Sequence, residues 1–238
     1  MATAAQDQGK TLVAKAMEAV KTHIRVSGLH VGDTLPGEGF FADQLGVSRA
    51  VMREAFGALA ALKLIDVANG RRAKVGAIDG SVIAESLDHA LSTEQIKVAD
   101  VWDVRRTIEM RTAALAARNA TPIQAARIVA LADAMGDEHP HDQTTEDDIE
   151  FHLAIAEASG NALFNQIVTS FVPLMRVAVP QAWMTRRTAE EKADILDRHK
   201  RLAWAIANRD AAEAERSMAA HFDEAIGALL RERPSPSI

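Results

Sequence analysis

The segment from Leu35 to Ile65, LPGEGFFADQLGVSRAVMREAFGALAALKLI, constrains the fold more than any other part of the chain. Glu38 to Leu45 reads as a short helix, with Phe40, Phe41 and Leu45 forming its apolar face. Gly46 breaks that helix and supplies a turn. Ser48 is a good N-cap, and Ala50 to Leu62 follows at helical spacing. Helix, glycine turn and helix form the helix-turn-helix plan, in which the second helix enters the major groove of DNA. Arg49 and Arg53 lie one turn apart at the start of that second helix. Side chains reach base edges from this end, and arginine can grip guanine through two parallel hydrogen bonds. An ordinary helical hairpin with two exposed arginines fits the same local pattern.

The flanking segments extend the plan. Lys10 to Val26 places Leu12, Val13, Ala16, Met17, Val20 and Ile24 at helical spacing, and Ser27-Gly28 ends that helix. Leu29 to Leu35 is a loop with room for a short strand, and it closes at Pro36. Leu64 to Val67 is β-prone, Asn69-Gly70 is a hairpin turn signal, and Ala73 to Val75 can return as a second strand. Three helices and a β-hairpin make a winged helix-turn-helix over residues 10–78, after a disordered lead-in at 1–9. Arg71 and Arg72 sit at the wing tip with Lys74 beside them, placed for phosphate or minor-groove contact. A solvated turn is the plainer alternative.

Ala77 to Ser81 reads as a hinge, with the break at 79–81. No strand pattern follows it. Val82–Leu91, Ile96–Asn119, Pro122–Met135, Thr145–Ser159, Leu163–Val179, Ala189–Asn208 and Asp210–Arg231 read as helices. Thr121-Pro122 is a start signal, Gly136 to Gln143 is a polar loop, and Pro173 should kink or break its helix. The expected fold is therefore mainly α. A winged helix-turn-helix is joined to an all-α antiparallel helical bundle over 82–231, with a tail at 232–238.

Net charge is −6, which by itself argues against a nucleic-acid partner. Its distribution reverses the argument. Residues 1–78 hold ten Lys/Arg and seven Asp/Glu, a balance of +3, and the remainder carries −9. A basic module on an acidic one suits a DNA reader joined to a sensor. The chain contains no cysteine, which excludes disulfides, thiolate metal sites and cysteine nucleophiles. No apolar run has membrane-spanning length and no stretch reads as a signal peptide, so the cytoplasm is the expected compartment and no membrane partner is expected.

Asp148 and His152 are four residues apart and therefore share a helical face. His199 and His221 lie among apolar residues in the last two helices. Three histidines and a carboxylate converging from three helices would form a transition-metal site of nitrogen and oxygen ligands. Hydrogen-bonded core histidines are the plainer alternative. A metal with open positions could activate water, so a metal-dependent hydrolase or lyase is the rival functional class. Glu150 turns away from both neighbours on the helix and is not read as a base, and no catalytic residue is assigned.

Across nearly its whole length the chain resembles a known family. Gly32-Asp33, Leu35-Pro36, Glu38, Val47-Ser48-Arg49, Arg53-Glu54 and Leu64-Ile65 resemble the GntR family of bacterial transcription regulators. Val104-Arg105-Arg106 with Glu109, Asp148, Phe151-His152, Ala158 to Asn161, His199 and His221 resemble the FCD ligand-sensing domain of its FadR subfamily. The resemblance implies a homodimeric DNA-binding protein, usually a repressor, on a pseudo-palindromic operator. It puts Asp148, His152, His199 and His221 on metal-ligand positions, zinc being the first candidate and nickel, manganese and iron the others. It also implies a small carboxylate effector, such as a sugar acid or hydroxy acid, reached by Arg105 or Arg106; the sequence leaves open which of the two points inward. Ser48, Arg49, Arg53, Arg71, Arg72 and Lys74 are the expected DNA contacts. Two departures stand out. Gly39 occupies a position that is usually basic, and the wing reads Asn69-Gly70-Arg71-Arg72-Ala73 in place of the usual Arg-Gly-x-Gly.

Overall fold

The structure is a computed structural model that describes residues 2–135, 141–184 and 188–231. The chain divides into two compact units, Met1–Val82 and Ile83–Ile238.

In the first unit, helix α1 runs from Ala2 to Val26. The helix expected from Lys10 thus begins earlier, in a stretch where Ala and Gln, both good helix formers, dominate. Helix α2 spans Glu38–Leu45 and α3 spans Arg49–Ala61. Between them Gly46 takes the left-handed conformation at φ 65°, which costs glycine no side-chain clash. The Ser48 hydroxyl accepts the Val51 N–H at 3.3 Å and so caps α3. Phe41, Met52, Ala55, Phe56 and Leu59 are buried with Ala16 and Val20 of α1 in one core. The expected apolar face of α2 is narrower than its sequence suggests. Phe41 is fully buried, whereas Phe40 and Leu45 stay partly exposed, Phe40 resting edge-on against His23 and Phe41.

The wing follows. Strand β1 (Ile65–Asp66) pairs antiparallel with β2 (Lys74–Val75), in the register Ile65 to Val75 and Asp66 to Lys74. The Asn69-Gly70 turn lies inside a longer loop, where Ala68 O accepts the Arg71 N–H at 3.1 Å and Gly70 has φ 71°. The Leu29–Leu35 segment flanks β2 on its other side through a bridge from Thr34 to Lys74. Leu35 N donates to Ala73 O at 2.8 Å there, and Val75 N donates to Asp33 O at 2.9 Å.

The second unit is helical throughout its described residues. It comprises α4 (Ser81–Ser92), α5 (Val98–Asn119), α6 (Pro122–Ala134), α7 (His141–Ala158), α8 (Ala162–Ser170), α9 (Val172–Met184), α10 (Ala189–Ala207) and α11 (Ala211–Arg231). Thr121 caps α6 through a reciprocal pair with Gln124, with Pro122 at its first position. Helix α5 packs against α11, α7, α10 and α8, and α10 packs against α11 and α6. The core between them is rich in small side chains, among them Ala113, Ala116, Ala117, Ala154, Ala203 and Ala214. The helix expected over Leu163–Val179 is two helices, α8 and α9, bent by 51° at Phe171. Pro173 sits in the first turn of α9, where a missing N–H is tolerated, so the break falls just before it. Of the expected polar loop, residues 136–140 lie outside the described residues, as does the 232–238 tail, and His141 already belongs to α7. No single helix among the described residues is long and apolar enough to cross a membrane.

Gly76 holds the base of the wing close to the end of α3. A Cβ there would stand 2.4 Å from the Lys63 carbonyl oxygen, while Gly76 N donates to Leu64 O at 3.0 Å. Gly76→Ala should therefore destabilise the first unit by about 1–3 kcal/mol, as overpacking does. Denaturant unfolding would measure this, and an unchanged midpoint would mean that the backbone does not run this close.

Candidate metal centre and DNA-binding face

Three helices of the second unit bring the four expected ligands together. Helix α7 carries Asp148 and His152, α10 carries His199 and α11 carries His221. All four are buried, and one donor atom from each lies within 4.8 Å of the others. His199 is oriented by its own helix, its Nδ1 donating to Ile195 O at 2.8 Å while its Nε2 lies 3.1 Å from Asp148 Oδ1. His152 is oriented from α5, its Nδ1 hydrogen-bonded to Glu109 Oε2, and its Nε2 stands 3.9 Å from Asp148 Oδ1. The three imidazoles form a closed group, with ring centroids 4.6 Å apart for His199 and His221 and 5.1 Å for His152 and His221.

Electrostatics follow from burial and proximity. Burial opposes ionisation of Asp148, but His152, His199 and His221 around it hold its carboxyl far below the usual carboxylate range. Burial likewise opposes a charge on His152, yet Glu109 and Asp148 together raise its pKa. His221 is pushed well below the ordinary histidine value by burial and by His199 and His152, so it stays neutral. His152 Nε2 and His221 Nδ1 are buried without a hydrogen-bond partner. Orphaned nitrogens next to a buried carboxylate are what a cation would satisfy. The cluster therefore fits a metal: three imidazoles and one carboxylate suit a first-row divalent ion.

The two arginines separate clearly. Arg105 is fully buried, its Nε 2.8 Å from Glu109 Oε1 and its guanidinium stacked over the rings of Trp102 at 4.7 Å and Phe222 at 5.1 Å. Arg106 faces outward and forms a two-pronged pair with Asp223 of α11, at 2.7 and 3.0 Å. Only Arg105 lies beside the histidine cluster, so Arg106 does not join the site. Sequence reasoning marked Glu109 without giving it a role, although its spacing of four from Arg105 puts both on one helical face. Trp102, three residues before Arg105 on that face, was also missed. Glu150 is bound on the surface to Arg127, at 3.1 Å.

In the first unit Ser48, Arg49, Arg53, Arg71, Arg72 and Lys74 are all exposed. Arg49 and Arg53 project from the first turns of α3, and Arg53 makes only a loose 3.9 Å pair with Glu38. A Cβ on Gly39 would meet Arg49 Nη2 at 3.8 Å, an ordinary contact distance, so the Arg49 side chain reaches over that residue.

Comparison with known proteins agrees with this division. Residues 12–75 match the model of bacterial regulatory proteins of the gntR family, and residues 100–224 match the FCD domain. A putative L-lactate dehydrogenase operon regulatory protein of Escherichia coli K12 is 29% identical over 86% of this chain and 81% of its own length. The galactonate operon transcriptional repressor of the same organism is 28% identical over 81% of this chain and 86% of its own. Among solved structures, Streptococcus agalactiae GntR superposes with a TM-score of 0.64 at 22% identity, covering 89% of this chain and 97% of that one, which speaks for the fold. With a helix-turn-helix and wing in one unit and a buried four-residue cluster that could hold a metal inside a helical bundle in the other, the chain belongs to the GntR family of bacterial transcription regulators, in its FCD-containing, FadR-like subfamily, and is a DNA-binding regulator and not an enzyme.

Proposed function

We propose that this regulator is a cytoplasmic repressor of a catabolic operon, released by a small carboxylate that binds in the second unit beside a metal held by Asp148, His152, His199 and His221. The observation that carries the reading is the buried four-residue cluster with its orphaned imidazole nitrogens, set beside a fully buried arginine. When bound, the metal would supply a Lewis-acid anchor for effector oxygens, zinc being the first choice among divalent ions. Arg105 offers a planar fork suited to a carboxylate, with Trp102 and Phe222 packing its faces. Relatives named for galactonate and L-lactate dehydrogenase operons favour a sugar acid or hydroxy acid as the effector class.

On DNA the proposed roles divide by charge and position. Arg71, Arg72 and Lys74 neutralise phosphates, and Ser48, Arg49 and Arg53 read the operator, two copies of the chain meeting a pseudo-palindrome as a homodimer. An effector that favours the DNA-incompetent state shifts the population by its differential affinity alone.

Three measurements test this. Arg49→Ala should weaken binding to its operator by about 1–3 kcal/mol and relax preference at one base position, whereas Arg71→Ala should weaken all sequences alike and reduce the salt slope by about one. Wild-type affinity in Arg49→Ala would sink the recognition-helix assignment. For the sensor, a thermal-shift screen against sugar acids and hydroxy acids, with and without chelator, is expected to give a hit that disappears on chelation. At a hundred times its dissociation constant a ligand adds about 2.7 kcal/mol, a shift of several degrees for a chain of this size. A hit that survives chelation would make the metal structural, and a His199→Ala protein that still binds one zinc per chain as tightly would remove that ligand from the set.

A further inference from the structure

We propose that Glu109 is the positioning residue of the metal centre: held by Arg105, it fixes the His152 ring so that Nδ1 carries a proton and Nε2 is presented to the cation. The inference rests on the metal reading given above. It assigns a role to a buried carboxylate that donates no ligand atom to the cluster.

Glu109, Arg105 and His152 are each about as buried as a side chain can be, at 1% exposure. An ionised carboxylate has only acceptor sites, so an imidazole nitrogen bonded to it must bring the hydrogen. Glu109 uses one oxygen for Arg105 Nε and the other for His152 Nδ1. That leaves Nε2 as the nitrogen available for coordination. Nε2 is also the atom on the Asp148 side, and it has no hydrogen-bond partner. Phe151 and Phe222 flank the ring edge-on, with centroids at 5.8 and 5.9 Å, and pack it in this orientation.

The neighbouring histidine shows that the arrangement is specific. His199 is also held through Nδ1, but by the carbonyl of Ile195 on its own helix, a partner that any residue at that position would supply. His152 instead relies on a side chain from another helix, 43 positions away in sequence. A structural pair between Arg105 and Glu109, four residues apart on α5, would be complete without the second oxygen. That this oxygen meets a metal-ligand candidate is what separates positioning from packing. Arg105 balances the charge of Glu109, so the carboxylate can raise the basicity of His152 without adding net negative charge to the core. The same arginine is the proposed effector contact, so Glu109 stands between the effector-binding and the metal-binding groups.

The test is zinc titration of the full-length, metal-stripped protein, comparing wild type with Glu109→Gln by competition against a chromophoric chelator. Glutamine keeps the size and one acceptor but loses the charge. Glu109→Gln should bind zinc about 10–100-fold more weakly, the usual effect of removing a partner of this kind, while circular dichroism of the metal-free form stays that of wild type. Equal affinity in the two proteins would overturn the proposal. A second readout holds even if the variant fails to fold: nitrogen-15 NMR of histidine-labelled, zinc-loaded wild type should show His152 protonated at Nδ1 and coordinated through Nε2. Coordination through Nδ1 would overturn it equally. If wild type takes up no zinc, nickel, manganese or iron, the metal reading itself falls and takes this role with it. Zinc uptake unaffected by Glu109→Gln removes the role of Glu109 alone.

Discussion

The cost of burying ionisable groups organises the second unit. Arg105, Glu109, Asp148, His152, His199 and His221 occupy the interior of a bundle whose other inward positions are chiefly Ala and Ile, with Met, Val and Phe. An unpaired charge in such surroundings is prohibitive, and removing one partner of a buried pair is strongly destabilising. All but His221 are therefore tied to another by a hydrogen bond: Arg105 to Glu109, Glu109 to His152, and His199 to Asp148. The chain of pairs runs across α5, α7 and α10, and it ends at nitrogens that no protein atom satisfies. Helix α5 shows the division of labour. Its first half carries Trp102, Arg105 and Glu109, and its second half buries Ala113, Ala114, Ala116 and Ala117. The alanines let the neighbouring helices approach closely, which holds the polar half together.

Most of this was legible wherever the signal was local. Gly46 and Ser48 announced a helix boundary because a left-handed turn and an N-cap each need a particular residue type. Asp148 and His152 could be placed together because one helical turn separates them. The four ligands were read from their resemblance to a family as well as from spacing, and the structure brings those residues to one place. What was not legible depends on long-range packing. Phe40 and Phe41 are equivalent in composition, and only the angle at which α2 meets α1 and α3 decides that Phe41 is buried. The bend at Phe171 was displaced from the proline that signalled it, because a proline near a helix start is no obstacle. The choice between Arg105 and Arg106 could in fact have been made. Trp102, Arg105, Glu109, Thr112, Ala113 and Ala116 fall at helical spacing on one buried stripe, and Arg106 is off it. The pairing of Glu109 with His152 had no such cue, since no periodicity links residues on two helices.

The charge asymmetry acquires a physical meaning once the units are separated. A net charge of −6 would repel DNA if it acted as a whole, yet charges beyond about 8 Å are largely screened at physiological ionic strength. At the surface of the first unit Arg49, Arg53, Arg71, Arg72 and Lys74 are exposed and, apart from the loose contact of Arg53 with Glu38, form none of the ion pairs found among the described residues.

Effector control then becomes a question of magnitude. Reversing a two-state population from 1:99 to 99:1 requires a ligand to prefer one state by roughly ten-thousand-fold, about 5.5 kcal/mol. A few weak apolar contacts with a small acid cannot supply such a difference. Charge-assisted contacts in a water-poor interior can, because hydrogen bonds to ionised groups are about twice as strong as neutral ones. A buried arginine fork adjoining a cluster that can hold a cation is an arrangement of that strength, and it would be lost if either element were displaced. Arg105 keeps Glu109 as a partner whether or not a ligand is bound, so on the proposed reading the selectivity would come from the charge-assisted contacts a carboxylate adds to that pair.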